Sequence, residues 1–482
     1  QDVRTEQALD KVLPPLLAFE SKLLQLDFKI NQRGVPLDLP LIDKGIAFVE
    51  ETSKALEVWC QKITGVNASQ RTRFLEYLQS QGLAIQTLQA AEVEACLNFS
   101  NLPLNTRRLL EARIELSRAG TKKLKTMLDC VSLDGRLRGA FSYHAASTGR
   151  WGSNGVQLHN LTKSDDQYPQ EEILELLEAG NLDLFYDRPL SALGKAIRGF
   201  LKPLPGSEFL VGDYSSVEAR CLAWLAGESL LLRAFQSGRD VYKVMAAELF
   251  DTDYSRVTDS QRFFGKQTVL GAQYGMGGPK FQATCARYGV KISEDQAADT
   301  IRKYRETVPR ITAFWRTVER AALHTVLTGK STVFAERKLR FEMDSLTGGF
   351  PLLFLVLPSG RRMGYPEPRV ENVEKWGKLI PTLFFKSFGK TGWREEETYG
   401  GKLTENICQA VCRDLLASGM MAVDEGGGDI VLHVHDEIGI ESLSEDPVIT
   451  EEVFESLICS PTDWGTGFPV AATVKRLARY AK

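Results

Sequence analysis

Leu432-His433-Val434-His435-Asp436-Glu437-Ile438 is the stretch on which the reading of this chain turns. Apolar residues alternate on either side of an acidic pair, the pattern of two short strands meeting at a tight turn. Adjacent carboxylates at a hairpin tip are costly unless a cation or water neutralises them. His433-x-His435 also fits a hydrolase metal site. That reading needs further histidines, and the chain has only five, none of the others in a ligand-spaced cluster.

Two other segments point the same way. In Asp213-Tyr214-Ser215-Ser216-Val217-Glu218 an apolar strand, Phe209-Leu210-Val211, delivers Asp213 to its carboxyl end, and a helix from about Val217 to Ala226 follows. An aspartate so placed holds a divalent cation with little chain motion. Taken alone, the segment fits better a capping box of Ser215 and Glu218, with Asp213 favouring the helix N-terminus. Farther on, Arg262, Lys266, Leu270 and Tyr274 recur every fourth residue of a predicted helix, and steps of four spread them over roughly a 120° face. Two cations one turn apart can grip a triphosphate, and the aromatic offers a stacking surface for bases. The alternative is an amphipathic helix with a basic edge. Gly275, Gly277 and Gly278 end that helix.

Around these segments, 16–130 reads as mostly helical, broken by the turn Asn31-Gln32-Arg33-Gly34-Val35-Pro36. A short acidic helix is predicted over Glu171–Gly180, and helices dominate to about Thr328. Residues 329–400 look β-rich and irregular, with Pro351, Pro358, Gly360, Pro366 and Pro368. A helix from about Leu403 to Met421 and a hairpin over Ile430–Ile440 follow. With 482 residues, 43% of them hydrophobic, the chain is long enough for two to four lobes. No apolar run approaches the roughly 20 residues that span a bilayer, so no membrane role is expected, and eight scattered cysteines without a CxxC pair fit a reducing, cytoplasmic setting. Cys408 and Cys412 share a helix face and read as packing rather than zinc ligands. Net charge is −3, yet Leu102 to Lys163 holds 11 Lys/Arg against 4 Asp/Glu. That run includes Arg107, Arg108, Arg113, Arg118, Lys122, Lys123, Lys125, Arg136, Arg138 and Arg150, and it suits a phosphate backbone or, equally, a solvated helix face.

Taken in order, the strand-end aspartate, the Lys-x7-Tyr-Gly helix and the His-Asp-Glu hairpin are similar to motifs A, B and C of family A, DNA-polymerase-I-like DNA polymerases. Thr148-Gly149-Arg150-Trp151 with Val156-Gln157-Leu158-His159-Asn160-Leu161 resembles that family's "TGR…NLQN" signature. Tyr399-Gly400-Gly401-Lys402-Leu403-x-Glu405-Asn406-x2-Gln409-x4-Asp414 resembles the phage and prophage members. The resemblance covers nearly the whole chain.

It implies an α+β right-hand fold: thumb over 16–140, palm over 141–225 and 400–482, fingers over 226–328, and a phage-type insertion at 329–399. It implies primer extension with dNTPs by a two-metal-ion mechanism, with primer-template DNA as partner and host cytoplasm as the setting if phage-encoded. Asp213, Asp436 and the Tyr214 backbone carbonyl would hold two Mg²⁺ ions, with Mn²⁺ as a substitute. Glu437 would be an accessory catalytic carboxylate. Arg262 and Lys266 would neutralise the triphosphate, Tyr274 would stack at the templating position, and Glu218 would fill the space of a ribose 2′-hydroxyl. Arg150, His159, Asn160, Gln409 and His435 would contact the primer-template.

Some positions depart from the family pattern. Ser216 and His159 stand where many members have Gln, and Leu270 where Phe or Tyr usually lies beside the incoming sugar. A single-subunit RNA polymerase is the nearest rival, disfavoured by Glu218, Glu437 and the Thr148-Gly149-Arg150 segment. An inactive nucleic-acid-binding module is disfavoured because both metal-binding aspartates are present. Gln1-Asp2-Val3-Arg4-Thr5-Glu6 resembles the segment that closes the proofreading exonuclease in phage-type members. Residues 1–15 are therefore expected to be a remnant of a 3′–5′ exonuclease domain supplied upstream or by a separate chain, without exonuclease activity of their own.

Overall fold

Four antiparallel strands form the sheet on which the acidic segments meet, in the spatial order Ile430–Val434, Glu437–Leu443, Ser207–Tyr214, Ala472–Leu477. The structure, a computed structural model, describes residues 2–13, 15–117, 119–336, 339–346, 349–375, 377–389, 391–445 and 447–481. Ile430–Val434 is buried along its whole length, which explains its nearly unbroken apolar sequence: a strand covered on both faces has no solvent side to make polar. The strand predicted around Phe209 runs longer, from Ser207 to Tyr214. The helix predicted from Val217 to Ala226 has those bounds.

The helix expected from Leu403 to Met421 is longer, Gly400–Glu425, and most of its side chains are buried. Two glycines begin it, although glycine weakens a helix. A Cβ on Gly401 would collide with the Tyr274 carbonyl oxygen, so the missing side chain is what lets the helix start against the segment carrying Tyr274.

The described residues of 16–130 are mostly helical as expected, with helices Ala18–Arg33, Leu39–Thr64, Arg71–Ser80, Ala90–Leu97, Leu104–Ser117 and Ala119–Cys130. They serve two cores. Leu23, Ile30, Leu41, Ile42 and Leu124 join the large central core. Cys60, Phe74, Leu78, Val93, Leu109 and Leu110 form a second, smaller one. Asp2–Val12 is a separate helix.

The basic run does not form one continuous face. Arg113 is buried, Arg107 donates to the Leu97 and Phe99 carbonyls, and Arg136 and Arg138 pair with Glu441 and Asp134. Arg108, Lys122 and Lys125 are exposed; Arg118 lies outside the described residues.

The described residues of 329–399 are β-rich and regular rather than irregular. Thr332–Phe334, Leu339–Leu346, Phe350–Val356 and Arg362–Pro366 form one antiparallel sheet; Arg369–Lys375, Lys378–Gly389 and Gly392–Thr398 form another. Pro358 and Pro368 fall between strands and Pro351 and Pro366 at strand ends, where a missing N–H interrupts little of the ladder. Their number suggested irregularity only because proline reads the same at a strand end as in a loop.

Candidate active site

Asp213 and Glu437 are register partners on adjacent strands, and the Tyr214 N–H donates to the Asp436 carbonyl at 3.0 Å. The sheet therefore brings Asp213 and Asp436, both half-buried, to the same end of neighbouring strands. His435 turns the hairpin with φ 57°, in the left-handed region. Glu437 is 1% exposed and accepts a hydrogen bond from the Tyr480 hydroxyl at 2.6 Å. Burial, together with the Glu437 charge, pushes the Tyr480 hydroxyl well above its ordinary pKa, so it stays a donor.

The capping box does not form. The helix Val217–Ala226 is entered through Ser216 in the left-handed conformation without a side-chain cap. Glu218 instead accepts from Arg150 Nη2 at 2.5 Å and from the Tyr274 hydroxyl at 2.9 Å. Burial pushes the Tyr274 hydroxyl up, and nearby Cys408 and Glu218 add to the effect. Three side chains far apart in sequence thus meet beside the strand that carries Asp213.

The cationic helix runs Asp259–Ala272, so Tyr274 lies just past its end rather than on it. Gly275, at φ 83°, turns the chain there and donates to the Ala272 carbonyl. Arg262 pairs with Asp240 at 2.5 Å. The Tyr242 ring lies 5.7 Å from the Arg262 guanidinium and 6.0 Å from Lys266 Nζ, and its hydroxyl is 3.0 Å from Ser216 Oγ. Tyr242 therefore ties the two cations to the turn that follows Asp213. Leu270 is 41% exposed on the same helix.

His159 is buried, and its Nε2 lies 3.0 Å from the His433 carbonyl; His435 Nε2 lies 3.1 Å from the His159 carbonyl. These reciprocal contacts bind the Leu158–Asn160 turn to the hairpin and place His159 behind His435 rather than at the surface. Burial, with His435 nearby, pushes the His159 ring down to about 4, so it is neutral at pH 7. Asn160 is exposed, and its carbonyl accepts from Lys123 Nζ at 3.1 Å. Gln409, half-buried, donates to Glu405 at 3.2 Å.

Residues 86–346 match the description of DNA polymerase family A. The DNA polymerase of Bacillus phage SP02 is 33% identical over 488 residues, covering 98% of this chain and 72% of that protein. The chain belongs to DNA polymerase family A. It is a DNA-directed DNA polymerase. Bacterial relatives match over smaller shares: the thermostable DNA polymerase I of Thermus filiformis is 26% identical over 59% of this chain, which is 32% of that enzyme. Among solved structures, the POL domain of Pol1 from M. smegmatis, in complex with DNA primer-template and dNTP, superposes with TM-score 0.63 at 17% identity, covering 93% of this chain and 68% of that one. The polymerase accordingly has the α+β right-hand fold. No helix among its described residues is long and apolar enough to cross a membrane.

Reading the polymerase sequence alone misses Asp240, Tyr242 and Tyr480. Asp240 announces only a helix N-cap, a role it does fill by accepting from the Tyr242 and Lys243 N–H groups. That it also holds Arg262 depends on how two helices pack, which no local pattern encodes. Tyr480 lies far from the hairpin in sequence and carries no motif.

Proposed function

We propose that this polymerase joins the 3′-hydroxyl of a primer to the α-phosphate of a template-selected dNTP and releases pyrophosphate, with two divalent ions. The observation that supports this most is the placing of Asp213 and Asp436 at one sheet end, with Arg262 and Lys266 tied to the adjoining turn through Tyr242. Among the described residues no cluster of three or more His, Cys, Asp or Glu could hold a metal, so this is no closed cage. The donor set fits Mg²⁺ all the same, since that ion is commonly bound by one or two carboxylates plus substrate phosphates. Asp213, Asp436 and the Tyr214 carbonyl would hold the two ions, Mg²⁺ or Mn²⁺. When bound, they lower the pKa of the primer hydroxyl and stabilise the leaving pyrophosphate.

The chain's own residues do the rest. Lys266 and Arg262 neutralise the triphosphate as charge builds on it; Arg262 must exchange Asp240 for phosphate to do so. Glu218, held by Arg150 and Tyr274, fills the space beside the sugar where a 2′-hydroxyl would sit. Tyr274 stacks at the templating base. Arg150, Asn160, Gln409 and His435 contact the primer-template, with His159 supporting His435 from behind. Glu437, fixed by Tyr480, supports Asp213 from the next strand. On this reading 16–140 is the thumb, 141–225 and 400–482 the palm, 226–328 the fingers and 329–399 a phage-type insertion. An exonuclease partner is proposed on the Asp2 segment alone.

Primer extension with dNTPs or rNTPs, with and without Mg²⁺, tests the reading. Mg²⁺-dependent extension by dNTPs and little by rNTPs is expected. Equal use of rNTPs would favour an RNA polymerase, and extension unaffected by chelation would remove the metal role.

A further inference from the structure

The turn Leu357–Arg361, between strands Phe350–Val356 and Arg362–Pro366, reaches out of the inserted sheets and buries Arg361 in the body of the enzyme. Its Nε donates to Asp414 at 2.7 Å, and its Nη2 donates to the carbonyls of Thr148 at 2.9 Å and Ala410 at 3.1 Å. Ser359 donates to the other Asp414 oxygen at 2.5 Å. Gly149, at φ 85°, lies directly against this guanidinium: a Cβ there would meet Arg361 Nη1 at 2.5 Å. Fully buried Arg413, which shares Asp414 Oδ1 with Arg361, donates through Nε to the Gly149 carbonyl at 3.0 Å. The two carbonyls that immediately precede Arg150 are therefore each held by a buried arginine. Glu20 and Asp414 balance the two positive charges.

We infer that Arg361 is a positioning residue for DNA synthesis, setting through the Thr148–Gly149 backbone where the Arg150 guanidinium stands against Glu218. The inference rests on the proposed role of Arg150 at the primer end. It gives residues 329–399 a function: they carry the clamp that orients this arginine, rather than being an appended module. The planar guanidinium fork is essential, because one group must bind a carboxylate and two carbonyls at once; a lysine keeps the charge but not that geometry. Displacement of a catalytic group by about 1 Å costs up to about a hundredfold in rate.

The experiment is a double-mutant cycle on the full chain. Single-turnover extension at saturating dNTP is measured for the wild type, Arg361→Lys, Arg150→Ala and the double variant, with rates normalised to active sites titrated by the burst. Arg361→Lys is expected to slow extension by about ten- to a hundredfold, with dNTP KM changed less than about twofold. In the Arg150→Ala background the same substitution should change the rate by less than about twofold. An equal loss in both backgrounds would overturn the inference and leave Arg361 as structural support only. A wild-type rate for Arg150→Ala would instead sink the proposed role of Arg150. Ser359→Ala, which removes one bond to Asp414, covers the case that Arg361→Lys folds poorly. Its smaller loss should likewise vanish in the Arg150→Ala background, and persistence there would also overturn the inference.

Discussion

Replacing Glu20 by Ala should destabilise this polymerase more than any surface ion-pair change. Glu20 lies in the first turn of the helix Ala18–Arg33 and accepts from Arg413 Nη1 at 2.5 Å, from Arg413 Nη2 at 2.8 Å and from the Tyr143 hydroxyl. The Arg413 side chain is 0% exposed and that of Glu20 10%. Without Glu20, two buried guanidinium groups share Asp414 alone, leaving about one positive charge uncompensated. Breaking a buried pair in this way costs about 3–5 kcal/mol, against about 0–1 kcal/mol for an exposed pair such as Arg302–Glu306. Removing both partners as Glu20→Leu with Arg413→Met spares the charge penalty. It still strands the Gly149 carbonyl, at about 1–3 kcal/mol, while the Tyr143 hydroxyl keeps the Glu20 backbone carbonyl at 3.4 Å. Urea unfolding followed by tryptophan fluorescence suits the measurement, because Arg413 lies 4.9 Å from the Trp151 ring. A loss for Glu20→Ala no larger than for Glu306→Ala would refute the argument. Acid titration adds a second check. Burial alone would raise the Glu20 carboxyl, but the bonds and charge of Arg413 carry it below its ordinary value. A depressed folded pKa contributes stability above the unfolded value of about 4.3 and loses it as pH falls through the folded one. Glu20→Gln should remove that part of the acid sensitivity.

Asp213→Ala or Asp436→Ala should abolish extension while primer-template binding stays within a few-fold; an equal loss of DNA affinity would count against a metal-holding role. Glu218→Ala should raise rNTP use relative to dNTP, read as the ratio of the two kcat/KM values, and an unchanged ratio would end its place at the sugar. Leu270→Phe or Leu270→Tyr should alter dideoxynucleotide incorporation; if neither does, Leu270 only packs.

The strand–helix unit around Asp213 and the hairpin around Asp436 are legible because each is local. An apolar run of strand length, an acidic pair at a turn and cations every fourth residue all carry their own period. The end of the cationic helix was misplaced by two residues, since Tyr274 continues the fourfold spacing while Gly275 has already turned the chain. Read alone, Glu218 fits a cap better than a site; the bonds from Arg150 and Tyr274, 68 and 56 residues away, decide for the site. The basic run misled because charge counts do not say which arginines are consumed internally. Arg361 carried no signal at all: its value lies in a turn that meets a helix and a loop remote in sequence.

The helix Leu39–Thr64 begins among residues of the large core, at Leu41 and Ile42, and ends in the small one, at Cys60. Its 26 residues make a rod of about 39 Å at about 1.5 Å per residue. The small core thus lies toward the far end of this rod, and the helix Leu104–Ser117 ties it back to the body through Glu115, which accepts from the Leu190 and Ser191 N–H groups. A tilt of about 5° at the base moves the far end of such a rod by about 3 Å, roughly half the separation of neighbouring phosphates on a strand. On the proposed reading of 16–140 as the thumb, a displacement of that size would shift a bound duplex while the Tyr214–Asp436 and Tyr480–Glu437 bonds in the body stay as they are.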